Sequence, residues 1–331
     1  MWVLLPKKGT IMNPGIGESQ HKVIWQRRVG MLKMHDNEVE TDASLVGRLL
    51  TTQFPQWAQL PVIPVASAGT DNALYRLGDD MVVRLPRIDW AVDNVHKEYY
   101  WLPRLAPLLP LAIPVPLAKG SPGAGYPWHW SVYEWLAGEN ATMDGIADPH
   151  QAAINLARFI TALQQIDTTK ASPAIGSNSR GRPLASRDER THQAIARLHG
   201  MIDTDAATAV WEAALQAPER KLSSVWFHGD LLPGNLLFEG DRLSAVIDFG
   251  GMGVGDPTCD LMIAWSLFSG QSRNLFRQEL DIDDATWARG RGHALSQAVV
   301  FIPYYLHTNP TGVNNARHQL REAIADFRTS G

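Results

Sequence analysis

Apolar residues recur at helical spacing in ASLVGRLL (43–50), where Asp42 stands as a candidate N-cap and Pro55 ends the pattern. The period then changes. NALYRLGDDMVVRLP (72–86) reads as strand, Gly-Asp-Asp turn, strand, because alternating and β-branched apolar residues flank a turn cluster. Helical spacing returns over WAVDNVHKEYYWLPRL (90–105) and stops at APLLPLAIPVPLAKGSPGAGYP, whose prolines exclude a helix interior. WHWSVYEWLAGE (128–139) is then a strand leading into a Gly-containing connection. This first part predicts a small antiparallel sheet crossed by one helix.

Beyond the connection at Leu136 to Glu139 the pattern is mostly helical. HQAAINLARFITALQQID (150–167) gathers Ile154, Ala157, Phe159, Ile160 and Leu163 on roughly one face, and DERTHQAIARLH and DAATAVWEAAL repeat that spacing. TTKASPAIGSNSRGRPLAS (168–186) is a polar, Gly/Ser-rich loop, and helices resume after residue 251. The expected architecture is α+β and bilobal. An N-lobe covers 34–136, a larger, mainly helical C-lobe covers 137–331, and 1–33 stand apart as an extension.

Composition fits that picture. The 331 residues suffice for two lobes, and 45% hydrophobic against 19% charged residues suits a globular protein rather than a disordered or fibrous one. The single cysteine, Cys259, leaves no internal disulfide and no Cys-based zinc cluster, which points to a reducing, cytoplasmic setting. No apolar run reaches the roughly 18 residues of a membrane span, so no membrane partner is expected.

Charge is uneven. Residues 1–33 carry six Lys/Arg (Lys7, Lys8, Lys22, Arg27, Arg28, Lys33) against Glu18, a net of +5, so the total of −4 leaves −9 for the remainder. The basic leader lacks periodicity and reads as an upstream extension or a misassigned start, with Met34 an alternative beginning. An acidic body argues against a nucleic-acid partner and for a small cationic one. Monomer and homodimer are both compatible with the sequence.

The chemistry concentrates in WFHGDLLPGNLLFEGDRLSAVIDFGG (226–251). LLF and RLSAVI are two strands joined by the turn EGD (239–241), hence an antiparallel hairpin. The residue before the first strand and the residue after the second meet at its open end, about 5 Å apart across the strand spacing. These are Asn235 and Asp248. An amide oxygen and a carboxylate at that separation suit Mg²⁺, a hard cation that completes its shell with phosphate and water. Asp230, five residues before Asn235 on an irregular loop, can face the same space and accept a proton from a substrate hydroxyl.

HGDLLPGN followed by VIDFGGMGVGDPTCDL resembles the aminoglycoside phosphotransferase family, a branch of the protein-kinase-like fold that also includes macrolide, choline and homoserine kinases. The likeness runs over about residues 42–325 and is most specific at 226–265. It implies that Asp230 is the catalytic base and that Asn235 and Asp248 hold the metal ions bridging the nucleotide phosphates. It implies ATP or GTP as donor and a small hydroxyl-bearing acceptor, such as an aminoglycoside- or macrolide-like antibiotic, with antibiotic resistance as one setting, or else a metabolite.

Further positions follow from the same likeness. Arg84, in VVRLP, stands where many relatives carry the phosphate-pairing lysine, and Glu98 in HKEYYW is its expected helix partner. SAGTDNALY (67–75) is the expected phosphate-covering loop, with Ser67, Gly69 and Asn72 as nucleotide contacts. YEWLAGE resembles the kinase hinge, where the main chain of Glu134 and Leu136 would meet the purine. His228, Asp256 and Asp260 are expected to brace the catalytic loop. Gly229 replaces the arginine of phosphorylation-regulated protein kinases, and only residues 249–255 separate Asp248 from the next Asp, so the site should be assembled constitutively.

Other classes fit less well. A nucleotide-binding pseudokinase is suggested by the absent lysine. A metal-dependent hydrolase using His228 and Asp230 would need further clustered ligands, and the eleven histidines are scattered. Asp281, Asp283 and Asp284 suit a helix start, with a role in binding a cationic acceptor as the alternative.

Overall fold

The structure, a computed structural model, describes residues 38–66, 71–142, 145–171, 180–218 and 224–329. The extension 1–33 and the expected contacts Ser67 and Gly69 lie outside the described residues.

Helix α1 (Ala43–Gln53) starts where Asp42 accepts a hydrogen bond from Leu45 N at 2.6 Å. Strands β1 (Val62–Pro64), β2 (Asn72–Leu77) and β3 (Met81–Pro86) lead to α2 (Val92–Leu105), and β4 (Pro116–Gly120) and β5 (Trp130–Glu134) close the small lobe. The five strands form one antiparallel sheet in the order β1-β2-β3-β5-β4. Alternation along the strands sorts its two faces. Ala73, Tyr75, Leu77, Val83 and Leu85 pack with α1, whereas Leu74 and Val82 join Leu102 and Leu105 of α2. Arg84 follows Val82 by two residues and so shares the α2 face.

The sheet therefore carries a helix on each face, the expected α2 and also α1. The strand expected over 128–139 is shorter, ending at Glu134. The proline-rich stretch, read only as non-helical, contributes β4. Proline at the first residue of this edge strand removes no ladder hydrogen bond that the strand needs.

After β6 (Glu139–Asn140) come α3 (Pro149–Gln165), α4 (Asp188–Arg197) and α5 (Thr204–Gln216). Strands β7 (Val225–Phe227), β8 (Leu236–Glu239), β9 (Arg242–Val246) and β10 (Gly253–Gly255) follow, then α6 (Ile263–Ser266), α7 (Gly270–Leu280), α8 (Asp284–Tyr305) and α9 (Pro310–Thr329). Strands β6, β8 and β9 form one small sheet, and β7 pairs with β10 in another. Leu156, Phe159, Ile160 and Leu163 of α3 belong to a core that continues through Leu236 and Val246 of the hairpin to Leu102 and Tyr133 of the small lobe. The hairpin is thus fixed between the lobes. Ile154, expected on the buried face of α3, is only half-buried, and Ala153 and Leu156 take that place. Among the described residues no helix is long and apolar enough to cross a membrane.

Candidate active site

The β8-β9 hairpin carries three of the expected residues at its open end. Leu236 pairs with Val246 there, and a bulge between Leu237 and Phe238 is absorbed farther along the ribbon. One register detail differs from expectation. Ile247, not Asp248, faces Asn235: the Ile247 N–H donates to Asn235 O at 2.9 Å. Asp248 is one residue farther, and its backbone is left-handed (φ 65°), an uncommon conformation for a residue other than glycine. This twist occurs where the chain leaves the hairpin and enters the short turn Phe249–Gly251.

Asn235 is buried. Its Nδ2 donates to Asp230 O at 2.8 Å and to Asp230 Oδ2 at 3.3 Å, while its Oδ1 has no hydrogen-bond partner. A buried amide oxygen without a donor is costly to leave bare. Its oxygen chemistry, with the Asp248 carboxylate on the adjoining chain, fits a hard divalent cation such as Mg²⁺. Among the described residues no three His, Cys, Asp or Glu side chains gather into a metal cage, which is what the hydrolase alternative would require.

Beneath these groups the loop is held by buried polar contacts. His228 is fully buried; its Nδ1 accepts from Asp230 N at 3.1 Å and its Nε2 lies 3.1 Å from Ile247 O. Serving one acceptor and one donor fixes a neutral ring protonated at Nε2. Burial lowers its pKa to about 4, against the opposing charges of Asp230 and Asp248. Asp260 accepts from His228 N at 2.7 Å and from Gly229 N at 2.6 Å. Burial pushes its carboxyl up to about 7, against the pull of those two donors. Asp256 caps the turn beginning at Pro257, accepting from Thr258 N at 3.0 Å.

The small lobe contributes Arg84. Its Nη1 is 2.7 Å from Glu98 Oε2 and its Nη2 is 3.1 Å from Asp248 Oδ1, so one guanidinium joins α2 to the hairpin. Burial opposes its charge, but Glu98 and Asp248 outweigh that and raise its pKa above the ordinary value. The Asn72 amide, turned with its oxygen toward the guanidinium, accepts from Nη2 at 3.0 Å and Nε at 3.2 Å. Glu98 also accepts from the Tyr133 hydroxyl. Two hydrogen-bonded groups therefore meet at the cleft: Asn72, Glu98 and Asp248 around Arg84, and Asn235 with Asp230, the second joined to the chain of Asp248 through the backbone bond from Ile247 N to Asn235 O.

Glu134 and Leu136 lie apart from those groups, at the connection. Glu134 N already donates to Val115 O at 3.2 Å, so its N–H is taken within the sheet. Leu136 packs on Leu237, Ala245 and Ile247, an apolar shelf beside the hairpin. Asp283 caps α8, accepting from Thr286 N at 2.7 Å; Asp281 ends α7, and Asp284 pairs with Arg277. These three acids serve helix ends.

Two contacts were not anticipated. Lys97 Nζ donates to Gly250 O at 2.7 Å and Met252 O at 3.2 Å, tying α2 to the turn after Asp248. Arg180 pairs with Asp230 at 3.1 Å. Lys97 could have been noticed as the neighbour of Glu98, whereas nothing in the polar loop SNSRGRP distinguishes Arg180.

A small antiparallel lobe joined to a helical lobe, with a cation from the third strand facing a hairpin mouth, defines a bilobal protein-kinase-like fold. The chain belongs to the phosphotransferase enzyme family (APH), which residues 62–293 match. No curated protein matches in sequence. Similar solved structures include the GDP and kanamycin complex of APH(2")-IIia, 19% identical, covering 85% of this chain and 98% of that one with a TM-score of 0.70. The GDP complex of wild-type aminoglycoside 2'-phosphotransferase-IIIa is 19% identical, covering 87% and 100%, with a TM-score of 0.69. The macrolide 2'-phosphotransferase MphH from Brachybacterium faecium is 23% identical, covering 86% and 97%, with a TM-score of 0.57. At these identities the likeness is one of fold.

Proposed function

We propose that the protein transfers the γ-phosphoryl group of ATP or GTP to a hydroxyl of a small molecule, an aminoglycoside- or macrolide-like antibiotic or a metabolite. The observation that carries this reading is the buried, orphaned oxygen of Asn235, whose amide holds Asp230, at the mouth of the hairpin whose other strand leads into Asp248, itself paired with Arg84. Residues 34–136 serve as the nucleotide-binding lobe, and 137–331 hold the catalytic loop and acceptor pocket in a cytoplasmic enzyme.

Asp230 accepts the proton of the acceptor hydroxyl as its oxygen attacks the γ-phosphorus; the bond to the β–γ bridging oxygen breaks and the nucleoside diphosphate leaves. Arg84, held by Glu98 and Asn72, pairs with phosphate oxygens. Asn235 Oδ1 and the Asp248 carboxylate would hold Mg²⁺, which when bound offsets charge on the β- and γ-phosphates. His228, Asp256 and Asp260 keep the loop in shape, and the backbone near Glu134 and Leu136 meets the base.

A second reading, nucleotide binding without transfer, is favoured by Arg84 standing where a lysine is usual. One assay separates the two. Protein with Mg²⁺, ATP or GTP and a panel of hydroxyl-bearing antibiotics and metabolites is examined for an acceptor that gains about 80 Da, the mass of one phosphoryl group. Transfer predicts such a product with wild-type protein and not with Asp230→Ala. Saturable nucleotide binding without product from any acceptor would support the second reading.

A further inference from the structure

We infer that Arg180 positions the Asp230 carboxylate for transfer, supplying from a distant loop the cation that the catalytic loop itself lacks; the inference rests on the phosphotransfer reading above. Residue 229, next to Asp230 in sequence, has no room for a side chain. Gly229 is left-handed (φ +83°), and a Cβ there would lie 2.4 Å from Gly251 O, far inside contact distance. A charged group beside Asp230 must therefore come from elsewhere in the chain.

Arg180 fills that place. Its Nη1 lies 3.1 Å from Asp230 Oδ1 and also donates to Gly229 O. The other carboxylate oxygen, Oδ2, accepts from Asn235 Nδ2 at 3.3 Å. With one partner on each oxygen, rotation of the carboxylate is blocked in both directions. Arg180 acts through the Asp230 carboxylate rather than on either substrate, so it is a positioning residue.

The mounting of Arg180 is tighter than its place in a polar loop suggests. Gly181 is left-handed (φ +72°), and a Cβ on it would fall 2.1 Å from the Phe227 ring of β7. A Cβ on Gly255 of β10 would fall 2.3 Å from Gly181 O, which in turn accepts from Asp256 N at 3.0 Å. The paired strands β7 and β10 thus clamp the backbone next to Arg180, and β7 runs directly into the loop bearing Asp230. Arginine and carboxylate share one rigid base.

Magnitudes separate this role from a structural one. The Arg180 and Asp230 side chains remain 21% and 30% exposed, and ion pairs within reach of water contribute little to stability. Misplacing a reacting group by about 1 Å can cost 10²-fold in rate. Loss of Arg180 should therefore be read in turnover, not in unfolding.

The test compares wild type, Asp230→Ala, Arg180→Ala and Arg180→Lys with an acceptor found by the product screen, measuring kcat, nucleotide KM and thermal midpoint for each. Arg180→Ala is expected to lower kcat roughly 10- to 100-fold, with nucleotide KM within about threefold and the midpoint nearly unchanged. Arg180→Lys and added millimolar guanidinium should each restore part of the lost kcat. Normal kcat in Arg180→Ala, alongside an inactive Asp230→Ala, overturns the inference while phosphotransfer stands. So does a kcat loss that tracks a lowered midpoint and resists rescue. A wild-type protein that phosphorylates nothing, and that Asp230→Ala matches, removes the phosphotransfer reading and this inference together.

Discussion

Arg84 reaches Asp248 across the cleft at 3.1 Å, from the third strand of the small lobe to the end of a hairpin in the large one. Its other arm holds Glu98, which is only 1% exposed. Arg84→Met would leave that glutamate buried without its cation, a loss of roughly 3 to 5 kcal/mol for a broken buried pair. Arg84→Lys keeps the charge but offers a single point in place of a two-armed bridge. Thermal unfolding should show a large fall in midpoint for the Met variant and a small one for Lys. Steady-state assays should show a raised nucleotide KM in both.

His228 makes acid stability a test of the loop. Its ring is held neutral, with a pKa of about 4 in the folded protein against an ordinary value of 6.5. Above pH 6.5 neither state is protonated and the group has no effect. As pH falls from 6.5 toward 4 the unfolded chain takes up a proton that the folded one refuses, so stability is lost over that window, by roughly 3 kcal/mol in full. Nitrogen-15 NMR of labelled histidine should show His228 protonated only at Nε2 down to about pH 4. A ring that titrates near 6.5 would contradict the geometry at Asp230 N.

Much of this site is legible in the sequence because strand pairing is a local rule. Once LLF and RLSAVI are read as a hairpin, Asn235 and Asp248 are expected to meet at its mouth, as they do to within one residue, whereas Arg84 is legible only through the family resemblance. The register at the mouth is harder to read. A two-residue period cannot say that β9 ends at Val246, nor that Asp248 turns left-handed one residue later. Strands β7 and β10 are three residues each, and glycine accounts for two of the three in β10, too little for any alternation to register. Arg180 escapes for a different reason: its partner is about fifty residues away and its position is set by backbone contacts of Gly181, which leave no trace in side-chain pattern.

The acids at the start of α8 offer a control. Asp283 accepts from Thr286 N, as an N-cap does. Asp283→Ala should therefore reduce stability by about 1 kcal/mol while leaving kcat and acceptor KM as in the wild type. Chemical denaturation alongside steady-state kinetics checks both; a raised acceptor KM with unchanged stability would instead move Asp283 into the acceptor pocket.

The central claim is that Asp230 takes the proton at a site whose nucleotide contacts lie on other residues, and pre-steady-state product formation with Asp230→Ala tests it most directly. Turnover should fall by roughly 10² to 10⁴, the usual share of a general base, while Mg²⁺-nucleotide affinity, measured on the same protein, stays at the wild-type value. Product forming at the wild-type rate in that variant would contradict the account.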